Sequence, residues 1–225
     1  MNNKITFVFL ILLMVVVGVF FLIKNFSVVK VEPENSIKLK SEVMNKNMVN
    51  STTSLKILMI IAWRGFRDEE YFEPKKVFEE NGFQVTTAST QKGTAVGVNG
   101  GEAKIDISLT EINLNDYQAV VFSGGPKTLD YLDNQKVYQI VQQTVQEKKG
   151  LGAICMSPVI LAKARVLKDK QATVWSSVLN RKPVKILKEN GAQYINQLVV
   201  RDGLIITANG PSAATEFGRE VVKTI

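Results

Sequence analysis

The chain contains one cysteine and no histidine, and that pair of counts limits its chemistry before anything else is known. Cys155 follows the apolar stretch Leu151–Ile154 and precedes Ser157-Pro158, where a run with helical spacing begins at Val159. A thiol at a strand-to-helix turn faces the first free N–H groups of the helix, which favour an anion. Its pKa is therefore expected below the ~8.5 of a free cysteine. The same position also suits a cysteine that merely packs. Two other groups have the right types for chemistry. Ser123-Gly124-Gly125-Pro126 follows another apolar run, and two glycines allow close approach of backbone N–H groups to an anion, or simply a tight turn. Asp68, Glu69, Glu70 and Glu73 cluster ahead of Pro74, where carboxylates commonly serve as solvated helix-dipole partners. Without histidine there is no Ser-His-Asp or Cys-His pair and no His-based metal site. One cysteine rules out an intramolecular disulfide and a Cys-rich zinc site.

These groups need a scaffold, and the pattern from residue 55 supplies one. Leu55–Ala62, 118–122 and 151–154 are short continuous apolar runs, as expected of strands buried on both faces of a parallel sheet. Residues 84–89 form a further strand, and Asn99-Gly100-Gly101 marks a hairpin between 94 and 107. Helices are expected over 68–83, 135–148 and 212–225, and further strands over 172–175 and on either side of Arg201-Asp202. Alternating strands and helices imply an α/β domain whose mostly parallel sheet is covered on both faces. Ligands in such sheets bind beyond the carboxyl ends of strands. The loop after the first strand, the Gly124-Gly125 loop and the Cys155 turn all qualify.

The remainder of the chain reads differently. Residues 5–23 are a 19-residue apolar run between Lys4 and Lys24, about 30 Å long as a helix and enough to span a bilayer. Bulky residues stand where a signal-peptidase site would fall, so residues 1–24 are expected to be an uncleaved transmembrane anchor. The flanking lysines leave open the side on which the domain lies. Residues 25–54, polar and without sustained period, are expected to be a flexible linker to a domain spanning 55–225. The net charge of +7 is spread thinly, with no Arg-rich block or aromatic stacking pattern, which argues against a nucleic-acid partner.

Residues 55–225 resemble the ThiJ/PfpI family, in the branch that contains the parkinsonism-associated deglycase/chaperone. The resemblance is carried chiefly by "AICMSPVILAKARVLKDKQATVW", with support from "DEEYFEP", "VFSGGP" and "DGLIITANGPSAATEFGREVV". It implies a flavodoxin-like three-layer sandwich, no cofactor, and a homodimer. Cys155 matches the family's reactive cysteine and Glu70 the carboxylic acid that hydrogen-bonds its sulfur. Asp68, Glu69 and Glu73 are then expected to remain in solvent. Gly124, Gly125 and Met156 form the expected anion-binding backbone, and Trp175 and Pro158 the expected pocket wall. Met156 and Trp175 stand where other branches place a histidine, so any chemistry falls to Cys155 and Glu70. The resemblance implies a small carbonyl substrate, a 2-oxoaldehyde or its protein adduct. The alternatives are a redox-sensing or stress-response module without turnover, and a silent binding module. Peptidase activity is disfavoured because no base is available.

Overall fold

The computed structural model describes residues 55–225. The expected anchor (1–24) and linker (25–54) lie outside the described residues. Among the described residues no helix is long and apolar enough to cross a membrane.

The centre of the domain is a seven-stranded sheet. Its members, in chain order, are β1 (Lys56–Ile60), β3 (Gln84–Ser89), β6 (Ile107–Ser108), β7 (Ala119–Phe122), β8 (Gly150–Ile154), β11 (Val199–Asp202) and β12 (Ile205–Ala208). They lie side by side in the order β11-β12-β8-β7-β1-β3-β6. All neighbours are parallel except β11, which returns antiparallel to β12. The continuous apolar runs explain the burial, because alternate residues feed opposite faces. Leu58, Ile60, Val120 and Phe122 enter one core, and Ile57, Met59, Ala119 and Val121 enter the other.

Helices close both faces. On one side lie α1 (Asp68–Glu80) and α6 (Ala214–Val222), contributing Tyr71, Phe78, Phe217 and Val221. On the other lie α3 (Gln135–Gln146), α4 (Pro158–Lys163) and α5 (Lys182–Glu189), contributing Val137, Ile140, Ile160, Leu161 and Leu187. The result is the α/β, flavodoxin-like three-layer sandwich with a mostly parallel sheet. The expected hairpin is present as β4 (Gly93–Gly97) and β5 (Glu102–Ile105), with β2 (Arg64–Phe66) added to its edge.

Several expectations shift. The strand expected over 172–175 is only β9 (Gln171–Ala172), paired with β10 (Gln193–Tyr194) in a separate two-stranded sheet. Beyond it the backbone is held at isolated points: Thr173 N–H donates to the Thr207 hydroxyl at 2.9 Å, and Trp175 N–H to the Cys155 carbonyl at 2.9 Å. Arg201 and Asp202 belong to β11, and the chain reverses after them at Gly203, whose φ of +63° favours glycine. The short α2 (Thr128–Leu132), together with α5 and β2, falls in stretches with too few apolar repeats to reveal a period.

Candidate active site

Strand order places the site. β8, β7 and β1 are adjacent at the middle of the sheet, so the Cys155 turn, the Gly124-Gly125 loop and the segment leading into α1 emerge together at their carboxyl ends.

Cys155 leaves β8 with φ of +62°, the left-handed conformation that a side-chain-bearing residue adopts only when its surroundings impose it. Those surroundings are on three sides. Its N–H donates to the Ala208 carbonyl at 2.8 Å, and its carbonyl accepts from Trp175. The buried Ser157 hydroxyl donates to the Ser123 carbonyl at 2.8 Å, tying the turn to the glycine loop. Pro158 then opens α4 at its first position, where a missing N–H costs nothing.

Gly124 is required by space. A Cβ there would lie 2.5 Å from both the Cys155 Cβ and Glu70 Oε2, and 2.6 Å from the Ile154 carbonyl. Cysteine and carboxylate therefore approach one another across a bare backbone. Gly125, with φ of +126°, presses against Gly65 and Arg67, and the Arg67 N–H donates to the Gly124 carbonyl at 3.0 Å.

Glu70 lies in the first turn of α1 and is fully buried, and neither carboxyl oxygen has a hydrogen-bond partner of good geometry. Burial pushes its pKa up from 4.5 to about 7. The nearby Cys155 thiol, the Arg67 charge and the Gly124 N–H oppose that rise and do not cancel it. The other carboxylates of the cluster differ from expectation. Only Glu73 is exposed. Asp68 is half-buried and accepts the N–H groups of Asn99 at 2.8 Å and Gly101 at 2.7 Å. Glu69, also half-buried, accepts from the Asn99 side chain at 3.2 Å.

The expected acidity of the thiol is corrected. Burial, and then the charge and hydrogen bond of Glu70, raise the Cys155 pKa above that of a free cysteine, while the Gly125 and Met156 N–H groups pull the other way. The short α4 cannot outweigh desolvation. The two groups titrate as a pair. The proton lost near pH 7 is that of Glu70, because the thiol holds its own more tightly; removing the second would put two negative charges side by side.

A cavity of about 280 Å³ opens onto the sulfur. Trp175 lines it, together with Gly125, Cys155 and Met156, the last of which the sequence suggested only for its backbone N–H. Pro158 does not; it is buried in α4, and Pro126 takes its place in the wall. Arg67 and Asn180 also line the cavity, and neither belongs to a motif or period that would single it out. Arg67 stands one residue before the acidic cluster, and Asn180 lies in a stretch without periodicity. Among the described residues no cluster of histidine, cysteine or acidic side chains could hold a metal ion.

A cysteine on a strained turn, a buried carboxyl against it and a glycine loop beside both describe a particular class of α/β domain. A DJ-1/PfpI family model matches residues 55–224, and the chain belongs to that family. It is 42% identical over 186 residues to an uncharacterized protein of Methanocaldococcus jannaschii, covering 82% of this chain and 87% of that one. It is 32% identical to a protein of Thermococcus kodakarensis named deglycase, covering 75% of this chain and 98% of the relative. The crystal structure of a ThiJ/PfpI domain protein from Brachyspira murdochii superposes with a TM-score of 0.70 at 32% identity, over 75% of this chain and 95% of that one.

Proposed function

We propose that the domain converts small 2-oxoaldehydes, or the adducts they form on amines, to 2-hydroxy acids, using Cys155 and Glu70. The observation that carries this reading is the fully buried Glu70 carboxyl, set against Cys155 across the bare Gly124 backbone and without a hydrogen-bond partner of good geometry. Kinship with proteins named deglycase supports it.

The steps balance without an external oxidant. The Glu70 carboxylate takes the thiol proton as the sulfur adds to the aldehyde carbon, forming a C–S bond, and passes that proton to the carbonyl oxygen. The Glu70 carboxylate then removes the proton on that carbon and returns it to the neighbouring ketone carbon, while the hydroxyl proton on the former aldehyde oxygen passes to the ketone oxygen. The aldehyde carbon is thereby oxidised to a thioester while the ketone is reduced to an alcohol. Water cleaves the thioester, releasing the hydroxy acid and restoring the thiol. A carboxyl with a pKa near 7 suits both halves of this transfer. The Gly125 and Met156 N–H groups stabilise negative charge beside the sulfur. In this reading residues 5–23 hold the domain at a membrane and the working unit is a homodimer.

The test is methylglyoxal turnover to lactate by the full-length protein. Cys155→Ala is expected to abolish it, and Glu70→Gln to reduce kcat at least ~100-fold, the usual worth of a general acid–base group. Turnover that survives Cys155→Ala would overturn the reading. The same neutral carboxyl could instead donate to an oxidised sulfur. Absence of turnover, together with two oxygens retained on Cys155 after mild peroxide, would favour a redox module.

A further inference from the structure

Arg67 is the one fully charged side chain among the residues lining the Cys155 cavity, and the reaction above gives it no role. Its backbone is fixed, extended at φ −83° and ψ 120° immediately before α1 and bonded through its N–H to Gly124. Its charge lies near enough to Glu70 to lower that carboxyl's pKa, but its donors are not taken up. The Nε is buried without a hydrogen-bond partner, and the guanidinium makes no ion pair among the described residues. Most of the remaining wall is apolar or amide: Pro126, Met156, Trp175 and Asn180. A planar cation presenting unused donors in a small, largely apolar cavity is a receptor for a carboxylate, which it can bind through two parallel hydrogen bonds.

We propose that Arg67 selects substrates carrying a carboxylate, so that the cavity prefers 2-oxoaldehydes with an acidic tail over methylglyoxal. This rests on reading Cys155 and Glu70 as the reacting pair. A suitable probe is 4,5-dioxopentanoate. Addition of the sulfur to its aldehyde carbon, proton transfer to C4 and hydrolysis by one water give 2-hydroxyglutarate, again as an internal oxidation and reduction. Arg67 holds the far carboxylate during these steps and touches none of the reacting atoms.

The experiment separates this proposal from the reaction it rests on. Because Cys155 is the only cysteine, alkylation of the full-length protein reports on one site. Iodoacetate and iodoacetamide attack the same thiolate and differ in charge, so their rate ratio cancels any change in thiol acidity. The ratio is expected to fall about tenfold in Arg67→Gln, equivalent to losing one favourable charge contact, and less in Arg67→Lys. The Arg67 side chain makes no hydrogen bond among the described residues, and Arg67→Lys provides a second variant should Arg67→Gln misfold. In turnover, wild type is expected to favour 4,5-dioxopentanoate over methylglyoxal at least tenfold in kcat/KM. Arg67→Gln is expected to lose that preference through KM. An unchanged alkylation ratio, or turnover without preference for the carboxylate, would overturn the proposal. A charge-dependent ratio without turnover of either aldehyde would leave anion selection by Arg67 standing and remove the reaction.

Discussion

Asp68 and Glu70 are two residues apart in one helical turn, and the fold treats them in opposite ways. At 100° per residue they point to different sides of α1. Asp68 faces the β4–β5 hairpin, and the turn is shaped around it. A Cβ at Gly97 would come within 2.5 Å of its carboxylate, and one at Gly101 within 2.3 Å. With the Asn99 and Gly101 N–H groups bonded to its two oxygens, this carboxylate holds a loop. Glu70 faces inward, loses its water and receives no hydrogen bond of good geometry to compensate. A satisfied carboxylate stabilises structure, whereas an unsatisfied buried one is a cost the fold carries, and such costs concentrate where chemistry occurs.

The largest test of this contrast is the pH dependence of stability. The folded state raises the Glu70 pKa from 4.5 to about 7, so between those values it binds a proton that the unfolded chain releases. The contribution is fully present below pH 4.5, declines as pH rises, and is lost above about 7. At about 1.4 kcal/mol for each pH unit between the two values, it amounts to roughly 3 kcal/mol. Glu70→Gln, which cannot ionise, is expected to remove this slope and to exceed wild type in stability at pH 8 by an amount of that order. Urea unfolding of both proteins at pH 4.5, 6 and 8 measures it. Parallel curves at all three values would show that Glu70 is not the desolvated group described here.

Asp68 is expected to give a smaller effect without that slope. Asp68→Ala removes the acceptor for two backbone N–H groups, and charged hydrogen bonds of this kind contribute about 2 kcal/mol together where solvent is near. The loss should appear equally at pH 6 and pH 8, with faster amide exchange at Asn99 and Gly101. Exchange that is unchanged at those two amides would mean the hairpin turn holds its shape without the carboxylate.

The sequence made one side of this contrast legible and hid the other. Cys155, Gly124 and Gly125 could be placed because strand ends in a parallel sheet converge, and apolar runs mark strand ends directly. The helical stripe of α1 is visible in Tyr71, Phe72, Val77 and Phe78, of which Phe72 alone is left exposed by the fold. The division of labour within the acidic cluster was not. It depends on which residue the hairpin reaches, and the 97–101 turn is 29 residues or more from Asp68 in sequence. The direction of the thiol shift was hidden for a related reason. A strand-to-helix turn reveals the dipole that would lower a pKa, but burial and a facing carboxyl come from β7, β8 and α1 together. Arg67 gave no signal because an arginine beside acidic residues looks like a surface partner for them. The fold instead leaves it unpaired against the cavity.

Glu73 supplies the smallest effect and the control for the other two. It is exposed, one turn beyond Glu70, and its Oε2 accepts from the Thr215 hydroxyl at 2.8 Å, linking α1 to the start of α6. That link joins the two helices at their rim, above the packing that holds them together. A Cβ at Gly218 would lie 3.1 Å from the Pro74 Cα and 3.2 Å from the Val77 Cβ, so the helices meet backbone to side chain with little room between them. Phe78, Phe217 and Val221 fill the shared core below. A hydrogen bond at the rim of such a contact exchanges with water at little net gain. Glu73→Gln is therefore expected to change unfolding free energy by less than about 0.5 kcal/mol, and by the same amount at pH 6 and pH 8. Denaturation of Glu73→Gln beside Glu70→Gln measures the difference. If the Glu73 variant acquired a pH slope like that expected of Glu70, the effect would belong to the helix terminus as a whole and not to the burial of one carboxyl.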